Sequence, residues 1–425
     1  MFYQSDEFAK AGNETNFLEV YLKSMIHSVR VASDNFDGNE ELGEQLAADA
    51  EEFGKDLKTV NPEPGARLQF SLLVDNGIEG YVYNWTESRT FDGSKPLSIL
   101  SHVGGDPALM WAGRANYNME DYELGVKWLR RVFDRVREHV PQAMDNSEEA
   151  ETFLNFIDQS REILSDCNQT TKTKWMPSTA DGQSAFVLDF ELAKDKWHPM
   201  MPSGDDVVPL PGLALVFSVS DSQLFREAAG EYFDQLQGFV DLLGELPDSQ
   251  IPPNFEIPRP ESRELGNATM YYYPIVDQIG LDPDLLPNAA MNEDTTVLTL
   301  SPVQSERLLT ETPLRIAGSA NSPLSDTNQP LMMAMHYNNA ATMDAVQLWA
   351  NYAYELYQQY APAPNDFQPG PYDPQPRQEP DEIIELVKVT INLFKCFQSY
   401  SSTTYLDEGA QVTHYLYHFK DTGNE

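Results

Sequence analysis

The sequence predicts an α+β protein: antiparallel sheet with helices packed on one side, built from a duplicated unit related by a pseudo-two-fold. Strand-like segments come in pairs joined by acidic-Gly or Asn-Gly turns, and helical segments follow the pairs. No glycine-rich phosphate loop follows any strand, and Gly104-Gly105 alone is no nucleotide fingerprint, which argues against a doubly wound α/β fold. The same order of elements recurs in the two halves of the chain, the pattern expected of a duplicated supersecondary unit.

Taken in order, residues 15–32 place Phe17, Tyr21, Leu22, Met25 and Val29 at helical spacing, and a second acidic helix is expected over about 40–58. Pro62 and Pro64 end it. Two strands, RLQFSLLV and IEGYVYNW, flank Asp75-Asn76-Gly77, a hairpin signal because Asn and Gly tolerate the positive φ of a tight turn. The strand ALMWAGRAN comes next. A helix over 119–139 has Tyr122, Val126, Leu129, Phe133 and Val136 on one face. Another over 147–165 ends near Cys167, and the strand SAFVLDFEL follows Asp181-Gly182.

The second half opens with proline-rich loops and the strand LALVFSVS. Ser220 or Asp221 caps a helix over 222–244. The strands ATMYYYPI and TTVLTLS, a short helix VQSERLL, the strand LMMAMHYN and a helix over 340–360 follow. Segment 361–380 holds seven prolines, so it is an extended or looped connection, since proline fixes φ and removes a backbone donor. An apolar helix over 381–397 leads into a last hairpin, SSTTYL and AQVTHYLYHF, around Asp407-Glu408-Gly409.

Laid side by side, each half runs helix, strand, strand, Pro-Leu-Ser, strand, helix, helix, Cys, strand. Pro96-Leu97-Ser98 matches Pro323-Leu324-Ser325, and Cys167 matches Cys396. Three segments result: an N-terminal helical segment 1–65, a first α+β repeat 66–198, and a second repeat 199–425 carrying the proline-rich insertion 361–380.

The chain of 425 residues carries 28 Lys+Arg against 67 Asp+Glu, a formal charge of −39. An apolar fraction of 41% with 11% aromatics means that it folds. The charge argues against extended contact with a phosphate backbone, which needs clustered cations, and against adhesion to an anionic membrane. No run of about eighteen apolar residues is present, so no membrane span is expected. Met1–Phe17 has no basic segment followed by an apolar stretch, so no secretory leader is expected in it. The two cysteines, in no CxxC, exclude a disulfide scaffold or a zinc ribbon. They read as free core thiols, or as a pair meeting near a pseudo-axis.

Chemistry-bearing motifs are sparse. Between the first two helices, Asn35, Asp37, Asn39, Glu41 and Glu44 fall at acceptable positions of a calcium loop, but the first ligand position is Ser33 and the usual apolar eighth is Glu40. An acidic capped turn explains the same residues, and no cofactor other than calcium is expected. His414 and His418 share a strand face but lack a third zinc ligand. There is no HExxH and no GxSxG. Trp349, Tyr352, Leu356 and Tyr360 recur at helical spacing and read as core. In the proline-rich segment, Phe367 and Tyr372 are candidate docking residues of a polyproline-like arm.

TADGQSAFVLDFELAKDKWHPMMP, LVFSVSDSQL, MYYYPIVDQIGLDPDLLPN with VLTLSPVQSERLL, and CFQSYSSTTYLDEGAQVTHYLYHFKD carry a resemblance. Together they resemble a family of uncharacterised secreted proteins abundant in planctomycete bacteria, over most of 170–421. The motifs are turns, strands and helix starts, so no catalytic residue follows from the likeness. The resemblance implies an extracytoplasmic home, periplasmic or secreted, with a leader and more chain upstream. The expectation is therefore a non-catalytic binding or scaffold protein of the cell envelope or surface, acting through protein–protein contacts or self-association. The alternative is a hydrolase with a scattered carboxylate site.

Overall fold

The computed structural model describes residues 24, 27, 28, 40–60, 65–141, 144, 146–204, 206–247, 249–252, 254–274, 280, 282–315, 322–360 and 380–420. Twelve strands form one sheet in which every pairing is antiparallel. They are β1 (Arg67–Val74), β2 (Gly77–Asn84), β3 (Leu109–Arg114), β4 (Gln183–Lys194), β5 (Val208–Ser218), β6 (Glu261–Leu265), β7 (Ala268–Tyr272), β8 (Asn288–Met291), β9 (Thr295–Thr299), β10 (Met333–Asn338), β11 (Phe397–Asp407) and β12 (Ala410–Phe419). Across the sheet they run β1-β2-β12-β11-β10-β3-β4-β5-β9-β8-β7-β6. Seven helices of eight residues or more are described: α1 (Glu40–Val60), α2 (Met119–His139), α3 (Ser147–Thr170), α4 (Ser222–Gly244), α5 (Pro302–Leu309), α6 (Asn339–Tyr360) and α7 (Pro380–Phe394).

The α+β class and the antiparallel pairing agree with the sequence pattern. The sheet runs continuously through both expected repeats. Strands of segments 66–198 and 199–425 alternate within it: β2 pairs with β12, β3 with β10 and β4 with β5. Asp75 and Asn76 make the tight turn between β1 and β2, and Asn118, Asn146 and Asp221 cap α2, α3 and α4 with side-chain oxygens. The hairpin partners β6 and β8 are additions to the expected strands. β6 (ESREL) is polar and β8 (NAAM) is short, so neither has the β-branched, alternating signature of a strand.

The core lies on one face. Along β4, residues 183, 185, 187 and 189 are buried and their neighbours half-buried, the period-2 pattern of a one-sided sheet. Ala112, Ala185 and Ala334 stand on one rung at the centre. Small side chains there let a lid approach closely. The lid comes from Leu97, Ile99, Leu100 and Val103, from Leu308 and Leu309 of α5, and from Leu324 and Leu331. Arg114 ties it down by donating to the carbonyls of Lys95 and Pro96, and Gln183 by accepting from Ile99 N and donating to Ser98 Oγ. Each fully buried Leu or Ile in this layer stabilises by roughly 1.5–3 kcal/mol.

One polar group is embedded beside it. Asp189 sits at a bulge of β4 and accepts from Gln304 Nε2 at 2.8 Å, from the Arg307 guanidinium and from Glu191 N at 3.2 Å. Arg307 also pairs with Glu191. These contacts clamp α5 to the sheet. Away from the sheet, Asp49 of α1 bridges Arg131 and Arg135 of α2, and Thr170 at the end of α3 and Lys174 just beyond it bond Glu231 of α4, whose Gln235 also donates to Thr170.

Candidate interaction surface

The sheet is open, so β1 and β6 are its edges. They differ in chemistry. In β6, Glu261, Arg263 and Glu264 are exposed charges within five residues, the usual protection against pairing with another chain. In β1 the only charge over eight residues is Arg67. Leu73 is 88% exposed, Leu72 54% and Phe70 37%.

Backbone polarity along β1 follows from one bond. Trp85 N donates to Ala66 O, so Ala66 faces β2. In an antiparallel strand both backbone groups of a residue point the same way and alternate along the chain. The even-numbered residues of β1 therefore bond to β2. Arg67, Gln69, Ser71 and Leu73 turn their N–H and C=O groups outward, where no further strand follows among the described residues.

Aromatic side chains flank this edge on both faces. On the lid face, Phe70 stacks on Tyr81 with ring centroids 5.4 Å apart, Tyr81 on the imidazole of His414 at 4.3 Å, and Tyr83 on Trp85 at 5.9 Å. Glu79 accepts from Tyr81 Oη at 3.0 Å and from His414 Nε2 at 2.8 Å. Burial first, then the hydrogen bond to Glu79, pushes the Tyr81 phenol up to about 12, so it stays protonated and acts as a donor near neutral pH. On the other face, Tyr415 and Tyr400 lie 5.6 and 4.9 Å from Tyr417, and Phe397 packs on Tyr417 and Phe419. Tyr415 crosses over Gly80, where a Cβ would meet its ring at 2.3 Å, and its hydroxyl bonds Ser71 Oγ at 2.8 Å. The hairpin is thus fastened to β12 while its outer edge stays open.

Cavities also lie elsewhere, two of them against helices. One of about 410 Å³ between α2 and α3 is lined by Tyr122, Val126, Leu129, Phe133, Leu164 and Cys167, with Arg130 and Arg161 on its wall. The other, about 1070 Å³, lies between α4 and residues 251–259. Asp49, Asp56, Glu123, Asp158, Glu231 and Asp282 all have a carboxyl held below the usual range beside an adjacent Arg or Lys. These are the ionised acids of structural ion pairs.

Of the residues singled out from sequence, Asn35, Asp37 and Asn39 lie outside the described residues. Glu41 and Glu44 stand on α1, where Glu41 accepts from Gln45. Among the described residues no group of three or more His, Cys, Asp or Glu is arranged to hold a metal ion. Phe367 and Tyr372 also lie outside the described residues. Cys167 and Cys396 are free thiols. Tyr352 and Leu356 do pack in a core with Leu192, Trp197 and Val208, whereas Trp349 and Tyr360 are exposed because they lie towards the outer side of the same helix. The Glu79–Tyr81–His414 cluster was beyond sequence reasoning, because Glu79 and His414 are 335 positions apart. The available signal was alternation: Glu79 and Tyr81 are two apart, as are Leu416 and His414, so each pair shares a face.

No family model, curated protein or solved structure matches this chain. No helix among the described residues is long and apolar enough to cross a membrane.

Proposed function

We propose that this is a non-catalytic binding or scaffold protein of the cell envelope or surface, working outside the cytoplasm through contacts with other protein chains. One observation carries the reading: the unprotected apolar edge of β1, flanked by aromatic residues on both faces, opposite the charged edge of β6. A net charge of −39 supports an extracytoplasmic, saline setting, where a hydrated anionic surface keeps a protein dispersed. A photo-crosslinking residue at Leu73, with one at Glu264 as control, tests the contact in the native host. A discrete adduct from Leu73, absent from Glu264, is expected. Equal or absent labelling at both positions refutes it. Fractionation of the host tests the location, and recovery in the cytoplasm refutes that part.

The duplication belongs to the same proposal. From the central β3–β10 pair, the sheet runs β4, β5, β9, β8 on one side and β11, β12, β2, β1 on the other. Pairing β3 with β10, β4 with β11, β5 with β12, β9 with β2 and β8 with β1 keeps chain order within each half, with two helices after β3 and two after β10. This supports two copies of one unit that exchange their leading hairpins across a pseudo-two-fold, with β6–β7 as an added hairpin. Leu97 and Leu324, from the two Pro-Leu-Ser segments, lie in the same core. An experimental structure whose halves fail to superpose strand for strand about that axis refutes the duplication.

A further inference from the structure

We infer that the occupant of the β1 edge is the β1 of a second copy of this chain, paired antiparallel about a two-fold axis through Ser71. The inference rests on the proposed role of this edge and names its partner. An isologous contact needs a self-complementary surface, and β1 meets that requirement by register. Only residues of matching parity can face each other if both lids stay on the same side of the joined sheet. The outward backbone groups of Gln69, Ser71 and Leu73 then meet those of Leu73, Ser71 and Gln69 of the second copy. On the lid face, Phe70 comes opposite Leu72, and Leu68 opposite Val74.

Charge selects this register over its neighbours. It sets Arg67 of each copy opposite Asp75 of the other, one pair at each end of the contact. Arg67 and Asp75 are both exposed, and neither has an ion-pair partner among the described residues. A shift by two residues puts Phe70 opposite its own counterpart and leaves Arg67 against Leu73. The opposite edge cannot serve equally, because its own copy would set the carboxylates and guanidinium of Glu261, Arg263 and Glu264 into an edge of only five residues. With no free edge of matching chemistry left over, the association closes at two copies.

Sedimentation velocity of the purified chain from about 1 to 100 μM reads the association. The expected result is a concentration-dependent dimer. Arg67→Asp and Asp75→Arg each set like charges opposite and weaken it about tenfold or more, and the double reversal restores it to near the parent value. Leu73→Lys, at an exposed position that leaves β1–β2 bonding intact, abolishes it. In a Cys167→Ser/Cys396→Ser background, Ser71→Cys forms an oxidised dimer, since hydrogen-bonded pairs stand about 5.5 Å apart at Cα, within disulfide reach. Gln69→Cys does not, because the two copies of that residue lie about 14 Å apart along the ladder. A chain that is monomeric throughout overturns the second copy as occupant. If Leu73 still crosslinks to another protein in the host, the wider interaction reading survives that result, and without such an adduct it fails too. A dimer indifferent to the charge reversals and to Leu73→Lys overturns the β1 contact itself.

Discussion

Removing the Asp189 carboxylate tests how α5 is held on the sheet. Its side chain is 5% exposed, and Arg307, 20% exposed, is its buried counter-charge. Asp189→Leu takes away the acceptor of both Gln304 and Arg307 and leaves the guanidinium with Glu191, an acid 58% exposed. Breaking one partner out of a buried pair costs about 3–5 kcal/mol because a charge is left desolvated. Glu191 retains one arm of the guanidinium, so the lower end, about 3 kcal/mol, is expected. Arg307→Met should cost a similar amount, since Asp189 is then buried with only Gln304 and the Glu191 amide. The double variant Asp189→Leu/Arg307→Met removes both charges and should lose no more than either single variant, the remaining cost of about 1–3 kcal/mol coming from the buried Gln304 amide left without its acceptor. Urea unfolding followed by tryptophan fluorescence and by circular dichroism reads all four proteins. Single variants that each cost under about 1 kcal/mol, or a double variant whose loss equals the sum of the singles, would refute the clamp.

Gly182 has φ +67°, and a Cβ there would sit 2.2 Å from Ala115 O, so Gly182→Ala should destabilise by about 2 kcal/mol or more, read as a lower urea midpoint. Burial holds His336 below the ordinary histidine range, so its contribution is complete above the unfolded value of about 6.5 and is lost as pH falls through its folded value. His336→Gln should therefore flatten the decline in melting temperature between pH 7 and 5, and an unchanged slope contradicts this assignment. The hydrogen bond from Arg135, then that from Arg131, holds the Asp49 carboxyl below its usual range, so the stability it adds is present above pH 4 and disappears in stronger acid. Asp49→Asn should lower stability at pH 7 by about 1.5–3 kcal/mol, with a smaller gap at pH 2. Because 67 acids face 28 cations, melting temperature should rise from low to molar salt and then plateau as screening over about 8–10 Å saturates; a flat curve means that local pairing already neutralises the acids.

Helices and hairpins were legible because their signals are local. The Asn-Gly turn, the caps at Asn118, Asn146 and Asp221, and the 3.6-residue spacing of Tyr122, Val126, Leu129 and Phe133 each operate within a few residues. That last stripe shows the limit of such signals. It marks a helix correctly, yet α2 has no buried residue, and the stripe lines an open cavity instead of a core. Periodicity reports that a face is apolar, and only the neighbours decide whether it is covered.

From sequence alone came the α+β class, most element boundaries, the strong acidity, and the free thiols as one of two readings. Strand order belongs to the tertiary structure. The pairing of β2 with β12 and of β3 with β10 joins residues more than two hundred positions apart, and no local propensity encodes such a choice between antiparallel partners. The same holds for the surface. RLQFSLLV reads as one strand of a hairpin, and its local pattern does not say whether it lies inside the sheet or at its edge. The topology leaves it at an edge of the described sheet, where the backbone groups that would have bonded a neighbour turn outward beside exposed apolar side chains.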